Sequence, residues 1–423
     1  MRSKDHWGQR EGLVFVLLSA LYVLSQFYRV SNAVIMPSLI SELELDAKQC
    51  GLLGGAFFYS FTALQIPLGP MLDQVGPRPI LLVSVLLAAA GALLFACSQS
   101  FASAFWGRLL IGAGMAPVLM GSLKYLSQAV SPSRFAKMTG LLYSIGISGT
   151  LLATSPLVFL SQAMGWRRVF TALALLTAGV GILAFKALEG VRARGEPKKG
   201  LPWAELARSL YAVFKSLLFW RFAAVAFFRY GTFVSLQGLW LATFLGYAKG
   251  FDALTVGNLL LCMSIGAIAG GPIGGYLFSR GTGHHKRAMA LPLSLYAFAL
   301  LILAATAKAW EVRSPAFFGL LLFALGLFNG MTMMVYTEAK ESFPLTLSGT
   351  VMSCVNFFTM AGGGIFMPLL GLVMGRLEAS AGLHSPEAYQ YAFLVCFGGM
   401  LASVLFYMGP IPLYKGRRKE AQE

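Results

Sequence analysis

Apolar residues run along this chain in stretches long enough to cross a bilayer core, which takes about 20 residues as a helix. Short polar segments separate them. Twelve spans are predicted, near residues 13–38, 50–72, 79–97, 103–127, 137–161, 168–187, 221–248, 255–279, 288–306, 315–336, 347–374 and 390–413. The longest polar interruption, 188–218, opens with a Gly- and Pro-bearing segment, as linkers do. It continues into Leu201–Phe214, which reads as an amphipathic helix along a leaflet, with Trp203 at the interface. Within several spans the polar residues share one face. At 100° per residue Tyr22, Ser25, Gln26, Arg29 and Asn32 form a stripe on the first. Arg229, Phe233, Leu236 and Trp240 line up on the seventh, with Thr232 and Gln237 flanking, and Asn329, Thr332 and Tyr336 line up on the tenth.

Composition agrees with the pattern. Of 423 residues 57% are hydrophobic and 12% charged, with mean hydropathy +0.70, whereas soluble proteins carry about 25% charged residues. The fold class is all-α: a polytopic membrane protein. The first apolar run is too long for a cleaved leader and lacks a small-residue cleavage site, so it is expected to remain as a span. The net charge of +16 is distributed by side. With the N-terminus cytoplasmic, 22 of the 33 Lys and Arg fall in cytoplasmic segments and 7 on the opposite side. This asymmetry places both termini in the cytoplasm and makes the excess an orientation signal rather than a nucleic-acid footprint. The five cysteines have no metal-ligand spacing, and the four histidines lie in loops or tails. No cofactor, metal or catalytic constellation is expected. The partners expected are a small anionic molecule and the bilayer, with the chain a monomer.

The chain divides into a six-span half at 1–187, a linker at 188–218 and a second six-span half at 219–423. The halves look related. Pro67-Leu68-Gly69 resembles Pro272-Ile273-Gly274, Gly140 matches Gly349, and Arg29 is paired with Arg229 at an offset of 200. Repeated helical halves with a binding site near the midplane are a transporter architecture.

Three motifs occur in order. Gly69-Pro70-Met71-Leu72-Asp73-Gln74-Val75-Gly76-Pro77-Arg78 follows the second span, Arg108 precedes Gly112 and Gly114 on the fourth, and Gly165-Trp166-Arg167-Arg168-Val169-Phe170 follows the fifth. Together they resemble the signatures of the major facilitator superfamily over essentially the whole chain. The resemblance implies twelve helices in two pseudo-symmetric halves, alternating access, and a central cavity lined by helices one, four, seven and ten. Glycines suit a tight turn and close helix approach, and Asp73 can meet helix N-termini or a basic side chain in a latch. Gly69, Asp73, Gly76, Arg78, Arg108 and Gly112 are thus candidates for gating and structure. Arg108 has two readings, structural bonding to carbonyls or contact with substrate or a proton relay. Lys124 either snorkels to the interface or lines the inner vestibule.

Arg29 and Arg229 are the principal site candidates. A guanidinium keeps its charge in a protein, and hydrocarbon does not solvate it. Its planar fork suits carboxylate or phosphate. Paired arginines on helices one and seven resemble the organic-phosphate and organic-anion branch of the superfamily. Tyr22, Gln26, Tyr28, Asn32, Gln237, Trp240, Asn329 and Lys124 are candidates to complete the site. All seventeen acids lie in loops, tails or span ends, which disfavours a carboxylate proton relay. The expectation is a secondary transporter of the cell inner membrane for a phosphorylated or carboxylated metabolite. Two alternatives stay open: an exporter of amphiphilic or drug-like compounds, and a metabolite sensor that does not transport.

Overall fold

A computed structural model describes residues 9–130, 132–189, 203–280, 285–309, 312–381 and 385–410, and every regular element among them is helical. In the first part of the chain α1 (Gln9–Val30) is followed by α2 (Asn32–Leu43), α3 (Ala47–Gln74), α4 (Pro77–Ala96), α5 (Phe101–Ala129), α6 (Pro132–Leu152), α7 (Ser155–Met164) and α8 (Trp166–Ala187). The second part carries α9 (Trp203–Phe214), α10 (Leu217–Ser235), α11 (Leu241–Thr243), α12 (Ala253–Arg280), α13 (His285–Lys308), α14 (Pro315–Met331), α15 (Val335–Glu341), α16 (Leu345–Ala381) and α17 (Pro386–Met408). The described residues supply 11 helices long and apolar enough to cross a membrane, and the bent pair α6–α7 makes a twelfth span. Two compact units result. One holds Met1–Ile35 and Ala56–Pro202, and the other holds Met36–Gly55 and Trp203–Glu423.

Four spans depart from straight α-helix. The 47° bend between α6 and α7 falls at Pro156, which lacks the N–H that would reach the Leu152 carbonyl. The first span breaks at Ser31, between α1 and α2. The seventh passes from α10 into π-helical turns at Leu236–Trp240 and Phe244–Ala248, on either side of α11. Between α14 and α15 the tenth tightens into a 3-10 turn at Thr332–Met334.

Small residues let the helices pack closely inside each unit. A Cβ at Gly91 would come within 2.7 Å of the Ile111 amide, and one at Gly107 within 2.8 Å of the Phe95 amide, so α4 and α5 cross at backbone contact. Glycines at 266 and 326 do the same for α12 against α14. In each unit an arginine, on α1 in the first and α10 in the second, also caps the end of the last helix. Arg10 Nε donates to the Ala187 carbonyl (3.2 Å), and Arg221 Nη2 donates to the Gly409 carbonyl (2.6 Å). Cations suit the unpaired carbonyls of a helix C-terminus.

The amphipathic segment of the linker appears as α9. It is tied to the second unit through Phe214, which packs edge-on against Phe219 and Phe358, while Trp220 Nε1 donates to the Phe214 carbonyl (2.8 Å). The rest of the linker, 190–202, lies outside the described residues.

Candidate functional site

Arg229 stands on the thirteenth position of α10 and is 1% exposed. Its Nη1 donates to Asn329 Oδ1 at 3.1 Å and to the Asn329 carbonyl at 3.4 Å, while Asn329 Nδ2 donates back to the Arg229 carbonyl at 3.3 Å. The carboxamide therefore fixes one edge of the guanidinium. The other edge, Nε–H and Nη2–H, has no partner among the described residues. Those two N–H groups are parallel and face the same way, so they fit two oxygens of one oxoanion. No carboxylate pairs with Arg229 among the described residues; the phenols of Tyr336, Tyr296 and Tyr230 are its electrostatic neighbours. A permanent charge is thus buried with one edge held and the other, itself shielded from solvent, without a hydrogen-bond partner among the described residues.

A hydroxyl-rich wall adjoins it. Tyr296 on α13 shares a hydrogen bond with Thr232 (3.0 Å), and Tyr336 on α15 shares one with Thr359 on α16 (2.6 Å) and reaches Asn356 at 3.5 Å. Tyr296, Asn356 and Thr359 were not among the candidates read from sequence. A lone tyrosine, asparagine or threonine in an apolar helix gives little signal until the fold shows what it faces.

In the first unit the α1 stripe is largely inward. Tyr22 is 4% and Gln26 8% exposed, and Gln26 Nε2 reaches the Tyr22 hydroxyl at 3.4 Å. Tyr22 also packs edge-on against Tyr143, 5.8 Å between centroids. Asn32 is 1% exposed, and neither carboxamide atom has a protein hydrogen-bond partner among the described residues. Arg29 is half-buried, its guanidinium 5.1 Å from the Phe61 ring centre. Lys124 is half-buried near the end of α5, five residues before Ala129.

Two candidates do not line a site. Tyr28 is fully buried, its hydroxyl bonded to Thr177 on α8 at 3.1 Å and its ring beside Phe170. One residue before Arg29 on a 100° wheel, it points into the bundle of its own unit. Trp240 is fully buried and donates from Nε1 to the Met367 carbonyl at 3.1 Å. The π turns explain that error: i→i+5 bonding adds a residue per turn, so the α-helical stripe from Arg229 to Trp240 loses register. Gln237, in the same turns, is engaged with Ser264 at 2.8 Å.

The pairing of Arg29 with Arg229 by chain offset can be set beside the helix crossings of each unit. In the first unit α1 crosses α6 at Gly149, against the Val23 carbonyl and the Phe27 amide; in the second α10 crosses α16 at Gly362, against the Phe227 carbonyl and Gly231. Matching these crossings sets Val23 against Phe227, which aligns Arg229 with Ser25 and Arg29 with Phe233. On that match the two arginines fall one helical turn apart, and the Arg229 site rests on its own chemistry.

The motif residues divide. Arg108 is fully buried under Phe57 and Phe95, and its Nη1 donates to the Tyr28 carbonyl at 2.8 Å, beside the break after Val30. That bond is of the kind the structural reading of Arg108 expects, while its Nε and Nη2 are buried without a hydrogen-bond partner among the described residues. Arg78 bridges α4 and α8, donating to the Phe185 carbonyl (3.1 Å) and pairing with Glu189 (3.0 Å). Gly76 has φ +85° at the start of α4, a left-handed position that glycine suits. A Cβ on Gly112 would collide with the Phe57 carbonyl, whereas at Gly69 it would meet nothing within 4 Å, so close approach explains only the former. The Asp73 side chain lies outside the described residues.

One acid is more deeply placed than its sequence position indicates. The tenth span extends to Glu341, and Glu338 within it is 9% exposed. The Tyr407 hydroxyl donates to its carboxylate at 2.6 Å, and Arg221 lies over the Tyr407 ring.

The fold is that of a polytopic helical membrane protein with buried polar faces. The family model for the Major Facilitator Superfamily matches residues 18–367, and the chain belongs to that family. Among its relatives, it is 23% identical over 398 residues to the "Probable sulfoacetate transporter SauU" of Cupriavidus necator, covering 88% of each chain. It is 24% identical to the "Probable hexose phosphate transport protein" of Chlamydia pneumoniae, covering 82% of each. In fold it is similar to the crystal structure of a bacterial homolog of the human lysosomal transporter Spinster, with TM-score 0.75, 18% identity, and 95% and 97% of the two chains covered.

Proposed function

We propose that this chain is a secondary transporter of the cell inner membrane, with both termini cytoplasmic, that moves a small organic anion by alternating access of its halves. The observation that carries the reading is the open Nε–Nη2 edge of Arg229, buried without a carboxylate and held in place by Asn329. A carboxylate, sulfonate or phosphate would complete it with two charge-assisted hydrogen bonds. Arg29, half-buried on the α1 stripe that also carries the unpartnered carboxamide of Asn32, is a second cationic candidate, within the first unit. Relatives whose names give sulfoacetate and hexose phosphate as cargo support an anion without choosing among its forms.

The test is a thermal-shift screen of sulfonates, sugar phosphates and aldonates on the purified chain, followed by uptake of the hits into vesicles. Anions are expected to stabilise the wild type, and Arg229→Gln should abolish both stabilisation and uptake. Selective stabilisation and transport of lipophilic cations, undiminished in Arg229→Gln, would replace this reading with the amphiphile exporter.

A further inference from the structure

One cavity of the first unit is apolar. It has a volume of about 520 Å³ and runs between α1, the bent α6–α7 pair and α8, with walls that include Phe15, Ala20, Phe27, Leu160, Val169 and Leu176. Its origin is the bend at Pro156. On one side of the bend α6 lies against α1 so closely that a Cβ on Gly149 would collide with the Val23 carbonyl. Past the 47° turn α7 diverges, and no side chain fills the gap. Leu160 and Leu176 are 41% and 52% exposed on its walls, so the groove opens sideways.

Its dimensions match one leaflet. From Phe15 to Phe27 on α1 the groove extends roughly 18 Å at 1.5 Å per residue, against about 15 Å for half of a hydrocarbon core. Charge marks one end. Val169 lines the groove and directly follows Arg167 and Arg168 at the start of α8. Arg167 is committed to the Ala96 and Ser98 carbonyls, at 2.9 and 2.6 Å, and Arg168 is exposed. The first turn of α8 holds no acid, and its cap residue Gly165 has no side chain to occupy the helix N-terminus. Both features favour an anion at that end.

We infer that this groove holds one acyl chain of a phospholipid from the leaflet on the Arg168 side, with the phosphate at Arg168. The chain would replace the α1–α7 packing that the bend removes, and so support the outer part of the helix that carries Gln26 and Arg29. Ser19 is the one polar residue on its walls, which fits a hydrocarbon occupant better than a polar cargo.

The experiment is phospholipid retention by the full chain, measured by native mass spectrometry after exchange into detergent with added phosphatidylglycerol. Ala20→Phe and, separately, Leu176→Trp narrow the groove, Arg168→Glu reverses the charge, and Leu320→Trp, on a 71% exposed position of α14, is the control. Wild type and Leu320→Trp should retain one phosphatidylglycerol. Both groove variants, if monodisperse with wild-type melting, should lose it by about tenfold or more, since each buried methylene contributes to chain affinity. Arg168→Glu should weaken it about fivefold, the worth of one basic group at an anionic surface. Equal retention in all four variants would overturn the inference. So would transport of an amphiphile that the groove variants abolish, because the occupant would then be cargo.

Discussion

Replacing Asn329 by aspartate places a carboxylate where the carboxamide now accepts from Arg229 Nη1 at 3.1 Å. Size barely changes, but the buried guanidinium acquires the counter-ion that it lacks. An anion on the Nε–Nη2 edge would then sit about 6 Å from a like charge, which at an effective dielectric near 20 costs about 3 kcal/mol. That corresponds to a loss of affinity of about 100-fold. Asn329→Ser keeps the position neutral and should cost less, about tenfold, through loss of one charge-assisted and one neutral hydrogen bond. The assay is the concentration dependence of anion-induced thermal stabilisation, repeated as uptake in vesicles. Protein stability should move the other way: Asn329→Asp should melt no lower than Asn329→Ser, because the new pair satisfies a buried charge. If Asn329→Asp binds the anion as tightly as Asn329→Ser, Arg229 is not the oxoanion partner.

Three further outcomes follow from the packing. Gly112→Leu should destabilise the first unit by at least ~1–3 kcal/mol, because its side chain must displace α3 at the Phe57 carbonyl; a melting temperature equal to wild type would show that the crossing is slack. Tyr407→Phe should cost about 1–3 kcal/mol by leaving the buried Glu338 carboxylate without its 2.6 Å donor, and Glu338→Gln in the same background should recover part of that loss in a thermal melt. Asp252 caps α12, and the hydroxyl and amide of Thr255 hold its carboxyl below the usual carboxylate range. Its folded-state value is thus below its unfolded value of about 4, so its contribution is complete above that pH and is lost as pH falls through the folded value. The melting difference between wild type and Asp252→Ala should accordingly shrink on acidification below about pH 4, and a constant difference would contradict the cap.

Much of the architecture could be read before any coordinates, because membrane spans are an averaged property of some twenty residues and tolerate local irregularity. The superfamily motifs were legible for a similar reason: glycines such as Gly112 and Gly76 answer to backbone geometry that few other residues satisfy. Side-chain direction was harder. Tyr28 and Arg29 are neighbours in sequence, yet a 100° step separates the bundle interior from the polar stripe. Trp240 was misplaced because π turns shift the register without any sequence signal comparable to proline. Glu338 looked like a loop acid because the tenth span continues past its apolar stretch, held by Tyr407 from a helix 69 residues on.

The central claim is that the open edge of Arg229 is an oxoanion site, and Arg229→Lys tests it most directly. Lysine keeps the charge but cannot present two parallel N–H groups. With an anion identified by the thermal screen, the measurement is its affinity for wild type and Arg229→Lys in the same membrane. The account expects a loss of about 10- to 100-fold, the worth of one charge-assisted hydrogen bond and its geometry. Affinity and transport unchanged in Arg229→Lys would contradict it.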